Sequence, residues 1–132
     1  WRWVAGLDDD KLEALIRTDE IDILIDLSGH TAGNRLPVFQ RKPAPLQASW
    51  LGYPNTTGLE SIDFRITDDI ADPENAAPQA TETLLRLNGG FLSYTPPGVT
   101  PAVAPLPADQ NGFITFGSFN NLRKMSPQTI EA

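Results

Sequence analysis

Three segments of the chain combine small residues with side chains that can bind ligands or handle protons. In Ser28-Gly29-His30-Thr31-Ala32-Gly33-Asn34-Arg35, two glycines let backbone approach a ligand closely. His30, Thr31, Asn34 and Arg35 there supply donors, and the histidine is a candidate general base. Trp50-Leu51-Gly52-Tyr53-Pro54-Asn55-Thr56-Thr57-Gly58 repeats the glycine theme with aromatic faces able to stack on a sugar or a base. Phe116-Gly117-Ser118-Phe119-Asn120-Asn121-Leu122-Arg123-Lys124 joins backbone amides and a coming helix start to a cation. That set could hold a diphosphate, with Lys124 offsetting charge on a departing nucleotide. Each segment also has a plainer reading, respectively a polar connecting loop, a turn beside a buried tryptophan, and a surface lysine. Asp68, Asp69 and Asp72 are loosely spaced and run into Pro73, so they read as a solvated acidic loop, and no metal site is expected.

These segments need elements to position them. Asp8 to Thr18 sets Leu12, Leu15 and Ile16 at helical spacing behind an aspartate-rich start that suits the positive end of a helix dipole. Ile21 to Leu27 is a strand by its β-branched content, and it breaks at Ser28-Gly29. The first segment therefore follows a strand's carboxyl end, where open α/β sheets bind ligands. A short helix is expected within Asn34 to Arg41, ended by Pro43 and Pro45, and then a strand from Leu46 to Leu51 feeding the second segment. Phe64 to Thr67 and Thr83 to Leu87 read as two further strands. Prolines at 96, 97, 101, 105 and 107 favour extended backbone and mark a linker. The expected division is 1–94 as one folding unit, 95–110 as linker, and 111–132 as the start of a second α/β unit. In that second unit Phe113 to Gly117 should be a strand, and a helix should open at Ser126-Pro127. Both chain ends read as cuts, so the chain is expected to be an excerpt.

The 132 residues are 40% hydrophobic and 20% charged, the makeup of a soluble globular domain. A formal net charge of -7 argues against attraction to nucleic acid or to anionic membrane surfaces, which favour basic patches. The absence of cysteine removes disulfides and thiolate metal sites, and nothing points to secretion, so a cytoplasmic location is expected. Apolar runs such as Ile21 to Ile25 are far shorter than the roughly 20 residues of a membrane helix.

Taken together, residues 26–36, 41–58 and 116–127 resemble the catalytic region of the protein O-linked N-acetylglucosamine transferase/SPINDLY family, especially its bacterial members. The matching text is Asp-Leu-Ser-Gly-His-Thr-Ala-Gly-Asn-Arg-Leu, then Arg-Lys-Pro-Ala-Pro-Leu-Gln-Ala-Ser-Trp-Leu-Gly-Tyr-Pro-Asn-Thr-Thr-Gly, then Phe-Gly-Ser-Phe-Asn-Asn-Leu-Arg-Lys-Met-Ser-Pro. The likeness runs from about Asp19 onward; the first eighteen residues and the proline-rich stretch carry little of it.

The resemblance implies a fold of the GT-B type, with this chain as the latter half of the first Rossmann-like lobe plus the first β-loop-α unit of the second. It implies transfer of N-acetylglucosamine from UDP-GlcNAc to serine or threonine hydroxyls of proteins, with inversion at the anomeric carbon and without a metal or other cofactor. By residue, it implies that Lys124 contacts the diphosphate as the catalytic cation, with Asn121 beside it in place of a glutamine of animal members. Leu51, Gly52 and Pro54 would line the sugar pocket, and His30, Thr31 and Arg35 would face the acceptor peptide. His30 replaces a tyrosine of the animal enzymes and is not expected to be the base. The base region, the uridine-reading segment and the tetratricopeptide repeats that deliver protein substrates fall outside the chain, so the excerpt alone is expected to be inactive. Two other readings stay open. One is a SPINDLY-like protein O-fucosyltransferase using GDP-fucose; the other is a non-catalytic scaffold or binding module that keeps the fold.

Overall fold

The computed structural model describes residues 1–119, 121 and 125–128. Helix α1 (Asp9–Thr18) starts where Asp8 turns its carboxylate onto the Lys11 amide, 2.8 Å away. That bond satisfies one of the amides that a helix start leaves without a partner. Strand β1 (Ile23–Asp26), helix α2 (Leu36–Gln40), β2 (Leu46–Trp50), β3 (Phe64–Thr67), a 3₁₀ turn (Glu74–Gln79) and β4 (Thr83–Arg86) follow. All four strands expected within residues 1–94 form: Ile21 to Leu27 loses two residues at its start and one at its end, Leu46 to Leu51 and Thr83 to Leu87 lose one each, and Phe64 to Thr67 forms as expected. The 3₁₀ turn has no counterpart in the sequence reading.

The strands make one sheet in the order β1-β2-β3-β4, every neighbour parallel. A parallel sheet sends all its carboxyl ends to one edge, so the loops after Asp26 and Trp50 emerge side by side. Its register sorts the side chains onto two faces. One face carries Leu24, Asp26, Gln47, Ser49, Arg65 and Thr67, and α2 covers it through Leu36 and Phe39, which cluster with Ile62, Leu24 and Leu59. Part of the polar content of that face is paired internally: Gln47 Nε2 donates to the carbonyls of Phe39 and Ser61 at 2.9 and 2.8 Å, and Arg65 and Thr67 both donate to Asp72, while Gln47 Oε1, Ser49 Oγ and Arg65 Nε are buried without a partner among the described residues. The opposite face is apolar and its outer strands are exposed, with Ile23, Ile25 and Leu85 at 58, 42 and 46%.

The chain forms two compact units, residues 1–94 and 95–132. In the second, helix α3 (Pro107–Asn111) lies inside and just past the stretch read as linker; proline stands in its first turn and Gly112 caps it at φ +73°. The strand expected over Phe113 to Gly117 does not form among the described residues. A strand exists only through its ladder, and no described segment pairs with this one. Of the helix expected from Ser126, Pro127 and Gln128 are helical, and the residues beyond lie outside the described ones.

Candidate active site

At the carboxyl edge of β1, the buried Asp26 closes the first turn of its loop by accepting the amides of Ser28 (3.1 Å) and Gly29 (2.7 Å). Gly29 sits at φ +50°, and a Cβ added there would stand 2.3 Å from Cβ of Tyr53, so only glycine lets the second loop lie against the first. After β2 the chain reverses sharply: Gly52 N–H donates to the Trp50 carbonyl at 2.8 Å across Leu51, which is held at φ +69°. A three-residue turn of this hand is rare and strained for a residue with a side chain. Leu51, Gly52 and Pro54 are exposed on this turn. Trp50 is fixed beneath it, its indole N–H donating 3.0 Å to the Phe91 carbonyl.

The two loops are joined through His30. Its Nε2 lies 2.8 Å from the Thr57 carbonyl, and its ring meets Tyr53 edge-on at 5.3 Å between centroids. A carbonyl only accepts, so Nε2 carries the hydrogen of this contact, and it is Nδ1 that holds the lone pair of the corresponding imidazole tautomer. Thr57 is anchored in turn by Glu82, whose carboxylate accepts the Thr57 amide at 2.7 Å, the Thr57 hydroxyl, and the Thr56 hydroxyl at 2.7 Å. Burial disfavours the charged form of Glu82, but these donors outweigh it and hold the carboxyl below its ordinary range.

The other sequence-derived candidates fall in different settings. Thr31 donates its hydroxyl to the Ser28 carbonyl at 2.8 Å, within its own loop. Arg35 turns toward α1, donating to Asp9 at 2.7 Å and to the Leu7 carbonyl at 2.9 Å. His30 and Tyr53 therefore belong to the junction of the two loops, whereas Arg35 ties the far end of the first loop to the helix start. Asp68 of the acidic loop is used locally: it accepts amides of Ile70, Ala71 and Phe91, which lower its pKa. Asn121 is exposed in the second unit, and Lys124 lies outside the described residues. Among the described residues no group of three or more His, Asp or Glu side chains is placed to hold a metal ion, and no helix is long and apolar enough to cross a membrane.

Sequence reasoning did not single out Asp26, Tyr53 or Glu82. An aspartate two residues before Ser-Gly is a usable turn signal, and Tyr53 lay inside a segment already chosen. Glu82 has no local signal at all, since a glutamate before a strand looks like a solvated one.

A family model described as Glycosyl transferase family 41 matches residues 7–93. The chain is 51% identical over 131 residues to a Solanum lycopersicum protein named "Probable UDP-N-acetylglucosamine--peptide N-acetylglucosaminyltransferase SPINDLY", a match covering 99% of this chain and 14% of that protein. The Arabidopsis thaliana protein of the same name is 49% identical with the same coverage. A second Arabidopsis thaliana protein, with the same enzyme name but called SEC, is 32% identical over 136 residues, 96% of this chain and 14% of that one. Among solved structures, a mutant of the Thermobaculum terrenum O-GlcNAc transferase matches with a TM-score of 0.80 at 40% identity, covering 99% of this chain and 24% of that chain. The chain thus spans 14% of the length of these curated relatives.

Proposed function

From the premise that this chain belongs to glycosyl transferase family 41, we propose that it forms part of an enzyme that transfers N-acetylglucosamine from UDP-GlcNAc to serine or threonine hydroxyls of proteins. Its fold is α/β, a parallel sheet of the GT-B glycosyltransferase type. The observation that carries the reading is the meeting of two loops at one sheet edge, the strained Leu51-Gly52 turn beside the His30 loop, in a chain about half identical to relatives named for this transfer.

In this reading the exposed turn of Leu51, Gly52 and Pro54 receives the donor sugar. The missing side chain at Gly52 lets backbone come close, while Leu51 and Pro54 offer apolar surface to a sugar ring. His30, Thr31 and Arg35 stand on the acceptor side. An acceptor hydroxyl attacks the anomeric carbon as the bond to the diphosphate oxygen breaks, and a single displacement inverts that centre. Negative charge accumulates on the departing diphosphate, where Lys124 would supply a cation and Asn121 an amide donor. A cationic side chain in that role lets the transfer proceed without a metal ion. The attacking hydroxyl must lose its proton, and no residue of this chain is assigned as the base. The segment by itself is therefore proposed to be inactive, because part of a preorganised site cannot hold both reactants in line. Tetratricopeptide repeats elsewhere in the intact protein would deliver protein substrates, and a cytoplasmic location fits that role.

The test is a transfer assay on the intact protein, with labelled UDP-GlcNAc and GDP-fucose offered side by side to a mixture of serine- and threonine-rich peptides. Label from UDP-GlcNAc on peptide is the expected result. Label from GDP-fucose alone would replace the donor, and silence from a folded protein with both donors would favour a binding module.

A further inference from the structure

Glu82 immediately precedes β4, 52 residues from His30 along the chain, yet it ends a short chain of contacts that begins on that histidine. Its carboxylate is only 4% exposed as a residue and accepts from three donors: the Thr57 amide and hydroxyl on one oxygen, and the Thr56 hydroxyl on the other. The Thr56 hydroxyl oxygen also accepts the amides of Gly58 and Thr81, at 3.1 and 3.2 Å. The Gly58 N–H shares a peptide plane with the Thr57 carbonyl, so its bond to the Thr56 hydroxyl, itself held by Glu82, gives that carbonyl a set direction. That carbonyl is the partner of His30 Nε2.

We propose that Glu82 is a positioning residue for the acceptor side of the site: by clamping Thr56 and Thr57 it aims the Thr57 carbonyl, which fixes the ring orientation and tautomer of His30. The carbonyl sets which nitrogen carries the hydrogen, and the edge-on contact with Tyr53 sets the ring plane. Nδ1 is thereby presented as the atom available to an acceptor peptide. The inference rests on the reading of the His30 loop as acceptor-facing. A carboxylate suits the position because every group aimed at it is a donor; an amide there would set its own N–H groups against one of them, leaving a buried donor unmatched.

The test uses the intact protein with Glu82→Gln, His30→Ala and the double variant. Thr57→Val, which exchanges the hydroxyl on Glu82 for a methyl group and keeps the Thr57 amide, serves as a second probe should Glu82→Gln fold poorly. Acceptor KM is expected to rise about tenfold in Glu82→Gln, with donor KM within about twofold, and the double variant should be no worse than His30→Ala, the non-additivity of residues acting through one another. Backbone amide exchange, which does not depend on turnover, should rise over residues 28–34 in Glu82→Gln and rise no further in the double variant. Exchange confined to residues 55–58, or effects of Glu82→Gln that persist unchanged in the His30→Ala background, would overturn the proposal. If His30→Ala leaves acceptor KM unchanged while the exchange pattern appears as expected, the positioning link stands and the acceptor reading of the loop fails.

Discussion

Gly52 and Leu27 meet backbone to backbone: a Cβ added to Gly52 would stand 1.8 Å from the Leu27 carbonyl oxygen and 2.8 Å from its carbon. Neither atom belongs to a side chain that can rotate away. The loops after β1 and β2 are therefore locked together at their roots, with Gly29 against Tyr53 as a second close approach. We expect Gly52→Ala to cost about 1–3 kcal/mol, as overpacking does when backbone must move. Denaturant midpoints measure it, with Gly6→Ala as the control; Gly6 has open space around it and should change stability by less than about 0.5 kcal/mol.

Asp72 is the shared acceptor of Arg65 and Thr67 beneath the sheet, and the side chains of the ion pair are only 7 and 11% exposed for Arg65 and Asp72. Removing the carboxylate strands a buried guanidinium, so Asp72→Ala should destabilise the protein by about 3–5 kcal/mol. Replacing both partners at once, as Arg65→Met with Asp72→Leu, should cost clearly less, because no uncompensated charge remains. A thermal melt of the two variants beside the unaltered protein reads the difference directly.

Three carboxylates tie distant parts of the unit together and have pKa values below their ordinary range. In Glu82 desolvation is outweighed by the threonine donors, in Asp63 the Lys42 ammonium leads, and in Asp68 the Ala71 and Phe91 amides lead. A carboxyl lowered in the folded state contributes stability that is fully present above its unfolded pKa and is lost as pH falls through the folded one. Stability should thus be level from neutral pH down to the ordinary carboxylate range and fall below it. In Glu82→Gln the acid limb should be shallower, since one of the linked protons is gone. Urea midpoints taken from pH 7 to pH 3 would show both effects.

Much of the fold was legible because its elements carry local signals. The β-branched run at Ile21 and the short runs at Leu46, Phe64 and Thr83 each gave a strand, and the aspartates before Leu12 gave a capped helix. Phe113 to Gly117 reads equally well as a strand and is none, because apolar content says nothing about whether a partner ladder is at hand. Helix α3 was hidden by proline density, though Pro107 ahead of Asn111-Gly112 is a usable start and stop. The candidate site was legible only in its glycine loops. The bonds that join them, from Glu82 to Thr57 to His30, run between residues 25 and 27 positions apart, beyond any periodicity.

The central claim, that the turn after β2 receives the donor sugar, is tested most directly at Leu51. This residue is 46% exposed and held at φ +69°, so its strain is not offset by burial of its side chain. Glycine would relieve about 1–2 kcal/mol of left-handed strain. The measurement is donor KM in the intact protein carrying Leu51→Gly, taken beside its melting temperature. A higher melting temperature with donor KM raised about tenfold, and acceptor KM unchanged, is the predicted result, stability gained where binding is lost. A stabilised variant with unaltered donor KM would contradict the claim.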